Sequence, residues 1–290
     1  MKTLISPRDL ASAIAVSESS VKRWVDEGLI AAHRTAGGHR RIPREEAVRF
    51  IRQMRADVVR PDLLGFPEAG LVSPADSAAG PMNEALFRAL VEGNAIRAMG
   101  LIEGPFLAGR PVAEIFDGPV RSAMSRVGEL WQHSEEGIFL EHRATDICLQ
   151  ALLRIRVAIP AGSDDAPAAV GAAPAGDPYL LPSLMAATVL RDAGLRADNL
   201  GPNTPLEALR LAAEREKARL IWLSVSAEDA AEEISSELDE FAESAAARGT
   251  ALVIGGRQMD VLRRGSRPIP VFVDSMAELA AFAKGLLTTA

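Results

Sequence analysis

One cysteine and one tyrosine occur in the whole chain of 290 residues, Cys148 and Tyr179. A single thiol excludes an intrachain disulfide framework. No apolar run approaches the ~18 residues that a membrane span requires. The opening stretch "MKTLISPRDL" lacks the apolar core of a secretory signal. These absences point to a cytoplasmic protein with no membrane partner. The scarcity of tyrosine makes the position of Tyr179, in a candidate ligand loop, worth following.

Hydrophobic residues make up 48% and charged residues 24% of the chain, as in a globular protein. Its length allows two or three domains. The net charge of −7 hides an asymmetry. Residues 1–60 carry 12 Lys+Arg against 7 Asp+Glu, a net +5, and the remainder carries 20 against 32, a net −12. A basic head on an acidic body suggests that only the head meets an anionic polymer.

In the head, Ser6 followed by Pro7 predicts the start of one short helix, and Ser17 predicts a second, "ESSVKRWVDEG", closed by Gly28. Val21, Trp24 and Val25 share one face of that helix. Lys22 and Arg23 point away from it, with Ser19 and Ser20 near its start. An apolar back and a polar front are what a recognition helix needs to reach base edges. Gly37 and Gly38 then permit a hairpin tip between Arg34 and the returning His39, Arg40 and Arg41, which could contact phosphates or a minor groove. A small helical domain with a solvated basic loop is the plainer alternative. The stretch "VKRWVDEGLIAAHRTAGGHRRI" resembles the winged helix-turn-helix of the MerR family over residues 3–55. That resemblance implies a double-stranded DNA operator and a homo-oligomer, a dimer or tetramer, on repeated half-sites.

The domain limits expected are 1–57 for the head, 58–81 for a Pro/Gly/Ala-rich linker, 82–159 for a four-helix bundle, 160–167 for a second linker and 168–290 for an α/β domain. In the bundle, "WQHSEEGIFLEH" places Trp131 nine residues ahead of Glu141-His142, with His133 in the turn between. A tryptophan at a helix end beside an acid–histidine cap would produce the same pattern. Cys148, one helix stretch further on, reads as a small core residue, with covalent ligand attachment as the alternative.

After "PAGSDDAP", strands and helices alternate, which predicts a five-stranded parallel sheet of flavodoxin-like order. Thr204-Pro205-Leu206-Glu207 reads as a capping box. The loops at the carboxyl ends of the strands are "GDPYLLP", "SVSAED" and "GGRQ", where such sheets bind ligands.

The spacing from Trp131 to Glu141-His142 resembles the W-x9-EH motif of CarH-type photoreceptors and related cobalamin-responsive MerR regulators. With Asp177, Ser224, Gly255 and Gly256 matching the cobalamin-binding α/β domain, the resemblance spans nearly the whole chain. It implies a corrinoid, cobalamin or adenosylcobalamin, held between bundle and sheet, with Trp131, Glu141 and His142 at its upper face. It also implies a repressor whose oligomeric state and DNA binding answer to that ligand and to light. The departures are Tyr179 where the family has a cobalt-binding histidine and Pro182 where it has glycine. A phenol of pKa ≈ 10 is a poor ligand at neutral pH. The alternatives are a bilin such as biliverdin, packed against Tyr179 and Leu180 without metal ligation, and a ligand-free regulator controlled by a protein partner. A cobalamin-dependent enzyme is excluded, because no stretch of ~250 residues remains for a catalytic barrel.

Overall fold

The computed structural model describes residues 3–72, 79–131, 135–163, 165–265 and 270–288. His133 and the side chain of Trp131 lie outside the described residues. The chain divides into two compact units, Met1–Pro160 and Ala161–Ala290.

In the first unit, Ser6 caps α1 (Pro7–Ala13). Its Oγ accepts the Asp9 N–H at 3.1 Å, and the Asp9 carboxylate accepts the Ser6 N–H at 2.9 Å. This reciprocal pairing satisfies two donors that the helix itself cannot. Ser17 caps α2 (Glu18–Asp26) through the Ser20 N–H, and Gly28 at φ +78° lets the chain turn out of it. Strands β1 (Leu4–Ile5), β2 (His33–Arg34) and β3 (Arg40–Pro43) pair antiparallel in the order β1-β3-β2. The expected wing is therefore a small sheet, and α3 (Arg44–Met54) follows it.

The expected linker over 58–81 is not a loose tether across its described part. Pro61–Leu64 and Pro67–Leu71 form two 3-10 turns, and Leu64 and Phe66 are buried. The Phe66 ring lies 5.9 Å from that of Phe106. Pro and Gly composition suggested flexibility, but two apolar anchors decide the outcome, and the prolines lower the entropy that ordering removes.

The bundle consists of α4 (Ala79–Glu92), α5 (Ala95–Leu107), α6 (Val112–Ile115) continuing through a π turn, Phe116–Val120, into α7 (Arg121–Trp131), and α8 (Glu135–Ala158). Four helical rods result, as expected. The π turn sits where Gly118 and Pro119 interrupt the α-helical ladder. Head and bundle share packing. The Arg52 guanidinium of α3 lies 4.2 Å from the Phe106 ring centre. A Cβ on Gly109 would stand 2.8 Å from the Arg52 carbonyl oxygen, so the close approach requires glycine.

The second unit is a parallel sheet of β4 (Ala168–Ala172), β5 (Arg196–Asn199), β6 (Leu220–Ser224), β7 (Ala251–Gly255) and β8 (Val271–Phe272), in the order β5-β4-β6-β7-β8. This is the flavodoxin-like order. Helices α9 (Leu180–Asp192), α10 (Leu206–Arg215), α11 (Glu228–Ser235), α12 (Leu238–Ala247), α13 (Met259–Gly265) and α14 (Met276–Thr288) alternate with the strands. The buried strands read as apolar runs because both faces are covered. Thr204 does not cap α10. Its hydroxyl donates back to the Gly201 carbonyl at 3.3 Å, and Pro205 occupies the cap position without a side-chain bond.

Candidate functional site

The head exposes several of the side chains expected on its DNA face. Val21 is buried against the core, while Lys22, Arg23 and Ser19 are exposed. Lys22 pairs with Glu18 at 2.8 Å and Arg23 approaches Glu27 at 3.9 Å. These exposed pairs contribute little to stability and leave both cations available to a polyanion. The Trp24 ring is 5.1 Å from Phe50, which ties α2 to α3. A shallow cleft of about 310 Å³ between α2 and the hairpin is lined by Glu18, Lys22, His39, Arg40 and Arg41.

The hairpin arginines divide into two kinds. Arg41 and His39 are exposed. Arg40 is only 21% exposed and binds Asp26 through one edge of its guanidinium, with Nε 3.2 Å from one carboxylate oxygen and Nη2 2.8 Å from each. Arg34 approaches the same carboxylate at 3.4 Å. Contrary to expectation, Arg40 is not free to serve a phosphate. It braces the wing against the end of α2, a bidentate pairing that favours one orientation. Asp26 was missed in the sequence because nothing local links it to residues 34 and 40.

On the bundle, α8 begins at Glu135, so Glu141 and His142 sit about two turns inside the helix rather than at its start. The His142 side chain is 75% exposed, and its Nε2 lies 3.6 Å from Glu141. Glu141 also accepts the Thr145 hydroxyl at 3.0 Å. Neighbouring Arg143 anchors this part of α8. It donates to the Val91 carbonyl at 2.6 Å and lies over the Phe139 ring at 4.8 Å. Leu130, Ile138 and Phe139 are exposed on the same segments. An acid–histidine pair beside exposed apolar side chains can hold a flat, partly polar molecule. Cys148 is buried on α8, and burial pushes its thiol up to about 12. A thiol without water access or thiolate character cannot serve as an attachment point, which removes the covalent alternative.

In the α/β unit, Asp177 is fully buried. Its carboxylate accepts three backbone N–H groups, from Tyr179 at 3.0 Å, Ser226 at 2.5 Å and Ala227 at 3.1 Å. These bonds pin the loop before α9 to the loop after β6. Tyr179 takes the N-cap position of α9, and the Arg257 guanidinium lies 4.9 Å from its ring centre. Leu180 and Pro182 occupy the first helical turn, where proline is tolerated. Ser224 is buried at the end of β6. A Cβ on Gly256, at φ +110°, would lie 2.2 Å from the Val225 carbonyl oxygen. The glycine pair at 255–256 thus has a packing reason of its own. Arg257 was legible only as the residue after that pair.

Residues 4–55 match the helix-turn-helix domain, and residues 82–156 match the B12 binding domain. The chain joins a helix-turn-helix domain to the helical and parallel-sheet fold of corrinoid proteins. A monomethylamine corrinoid protein of Methanosarcina barkeri is 18% identical, with 69% of this chain and 96% of that chain covered and a TM-score of 0.54. A cobalamin-binding protein of Desulfitobacterium hafniense DCB-2 is also 18% identical, covering 73% of this chain and 93% of that one, with a TM-score of 0.36. A search of the curated proteins found no match.

A corrinoid ligated from below by a histidine does not fit the α/β unit. Tyr179 offers no ring nitrogen, its face is covered by Arg257, and both Asp177 oxygens are committed to backbone donors. On the bundle, His142 is exposed beside a half-buried Glu141.

Proposed function

We propose that the chain is a DNA-binding transcriptional regulator of the MerR type that responds to a tetrapyrrole. Lys22, Arg23, Ser19, Ser20, His39 and Arg41 meet double-stranded DNA. Glu141 and His142, with Trp131 and His133, meet the ligand. One observation carries this reading: head and bundle belong to one compact unit, joined through Arg52, Phe106 and Gly109. A ligand on the bundle and an operator on the head then act on one shared body, and each biases the arrangement the other selects. A corrinoid is the first ligand to try, a repressor the first role and a light-dependent oligomer the first output.

The test is a titration of the purified chain with adenosylcobalamin and with biliverdin, read by absorbance. DNA affinity and sedimentation are then measured in dark and light. Pigment uptake that leaves DNA affinity and oligomeric state unchanged would defeat the regulatory coupling. A second reading, a ligand-free regulator controlled by a protein partner, is favoured by Tyr179 beneath Arg257. It requires that neither pigment binds.

A further inference from the structure

The chain leaves α2 at Asp26 and enters β2 at His33. Two backbone groups of the connector between them are bound by side chains of α3. The Ala31 N–H donates to Glu46 Oε1 at 2.9 Å, and the Leu29 carbonyl accepts from Arg49 Nη2 at 3.0 Å. Ile30, between these two bonds, is buried. Glu46 and Arg49 also bind each other twice, Nε to Oε2 at 2.7 Å and Nη2 to Oε1 at 2.6 Å. Arg49 Nη1 donates to Gln53 Oε1 at 2.6 Å. All three guanidinium nitrogens and both carboxylate oxygens are therefore committed. Burial alone would raise the Glu46 carboxyl, but its bonds to Arg49 and to the Ala31 N–H hold it below the usual carboxylate range.

A Glu and an Arg three positions apart on a helix form an ordinary surface pair. This pair does more, because it grips a backbone segment 15 and 20 positions away, one donor and one acceptor. Bonds to charged groups are stronger and more directional than neutral ones. The wing is thus tied twice. Asp26 holds Arg34 and Arg40 to the end of α2, and Glu46 with Arg49 holds the root of the wing to α3. Arg41 and His39 are exposed on the wing, and Lys22 and Arg23 are exposed on α2. Phosphates recur at fixed intervals along a duplex, and contacts to them set the register of the protein on it. Whether Arg41 reaches one while α2 lies in a groove depends on the angle the connector imposes.

We infer that Glu46 and Arg49 are positioning residues for DNA binding: they touch no nucleotide, and their joint grip on Leu29 and Ala31 sets the wing so that Arg41 meets a phosphate. This rests on the DNA-binding reading above. The test uses the full chain and a mixed-sequence DNA duplex, with affinity measured across a salt series. Wild type, Arg41→Ala, Arg49→Met and the double variant are compared below their melting temperatures. Arg41→Ala and Arg49→Met should each flatten the log–log salt slope by about 0.9, and the double variant should flatten it no further. A merely structural role for Arg49 would lower affinity with the slope unchanged, and that result overturns the inference. Additive flattening, about 1.8 in total, would make Arg49 a phosphate contact itself and also overturns it.

A second variant separates the grip from the ion pair. Glu46→Arg combined with Arg49→Glu restores opposite charges at the same spacing but exchanges the acceptor facing Ala31 for a donor. The slope should stay as flat as in Arg49→Met; a return to the wild-type slope overturns the inference, and this arm decides if Arg49→Met does not fold. A wild type whose binding ignores salt defeats the DNA-binding reading and the positioning role with it. A salt-dependent wild type with additive variants defeats the positioning role alone.

Discussion

Among the described residues, each unit of this protein buries one carboxylate completely, and the two are treated in opposite ways. Asp177 in the α/β unit accepts three backbone N–H groups. Among the described residues, neither oxygen of Glu103, in α5 of the first unit, has a hydrogen-bond partner. The nearest cation is Arg154 on α8, 3.5 Å away, and that guanidinium is already bonded to Glu68 of the second 3-10 turn. Burial raises the Glu103 carboxyl to about 8; the charge of Arg154 opposes the rise and that of Glu68 adds to it. The contrast teaches that depth of burial does not decide what a buried acid does. The supply of donors decides it. Asp177 works as a staple between two loops, whereas Glu103 holds a proton in a packed interface.

The largest expected effect is on pH dependence in the first unit. Glu103 titrates near 8 when folded and near the ordinary value of 4.5 when unfolded. Between those values the folded chain binds more protons, so stability falls as pH rises from about 4.5 to about 8. The loss has an upper bound of about 5 kcal/mol. Glu103→Gln should remove most of this slope and raise the melting temperature at pH 8.5. Unfolding curves from pH 5 to 8.5 that stay parallel for wild type and variant would break the comparison.

Next in size is Asp177→Ala, which leaves three N–H groups without their acceptor and should destabilise the α/β unit by about 3 kcal/mol. His142→Ala removes an exposed side chain and should change stability by less than about 0.5 kcal/mol. Calorimetry of the two variants sharpens the contrast, since the first should shift one transition only.

DNA binding offers a smaller effect. Arg41→Ala should flatten the salt dependence of DNA binding by about 0.9 in log–log slope, the loss of one phosphate contact. Arg40→Ala and Asp26→Ala should weaken binding together through a misplaced wing, and the double variant should cost little more than either single one. Additive losses would show that the two residues act apart. Smallest is Tyr179→His, which should raise adenosylcobalamin affinity less than about threefold on its own, under 1 kcal/mol. Asp177 is not free to orient the new ring, because both its oxygens accept backbone N–H groups.

Much of the architecture was legible along the chain. Ser6, Ser17 and Pro7 announce helix starts through bonds that span three residues. Apolar runs announce the buried strands, and their alternation with helices implies a parallel sheet. The charge asymmetry isolates the head by composition alone. These features are local or statistical, and local chemistry is what a linear sequence carries.

Only the tertiary structure decided which of the named side chains are available. Arg40 and Arg41 are neighbours of the same type, and a carboxylate 14 positions from the first binds it and leaves the second exposed. Asp177 keeps its expected place but spends both oxygens on residues up to 50 positions away. Trp222 and Ser183, 39 residues apart, close a layer that neither segment reveals alone. The described part of the expected linker became part of the packing because Leu64 is buried and Phe66 found a ring partner, Phe106, 40 positions further along the chain. In each case the deciding partner is distant in sequence. Bonds of that kind form only when folding has already excluded water and fixed the geometry.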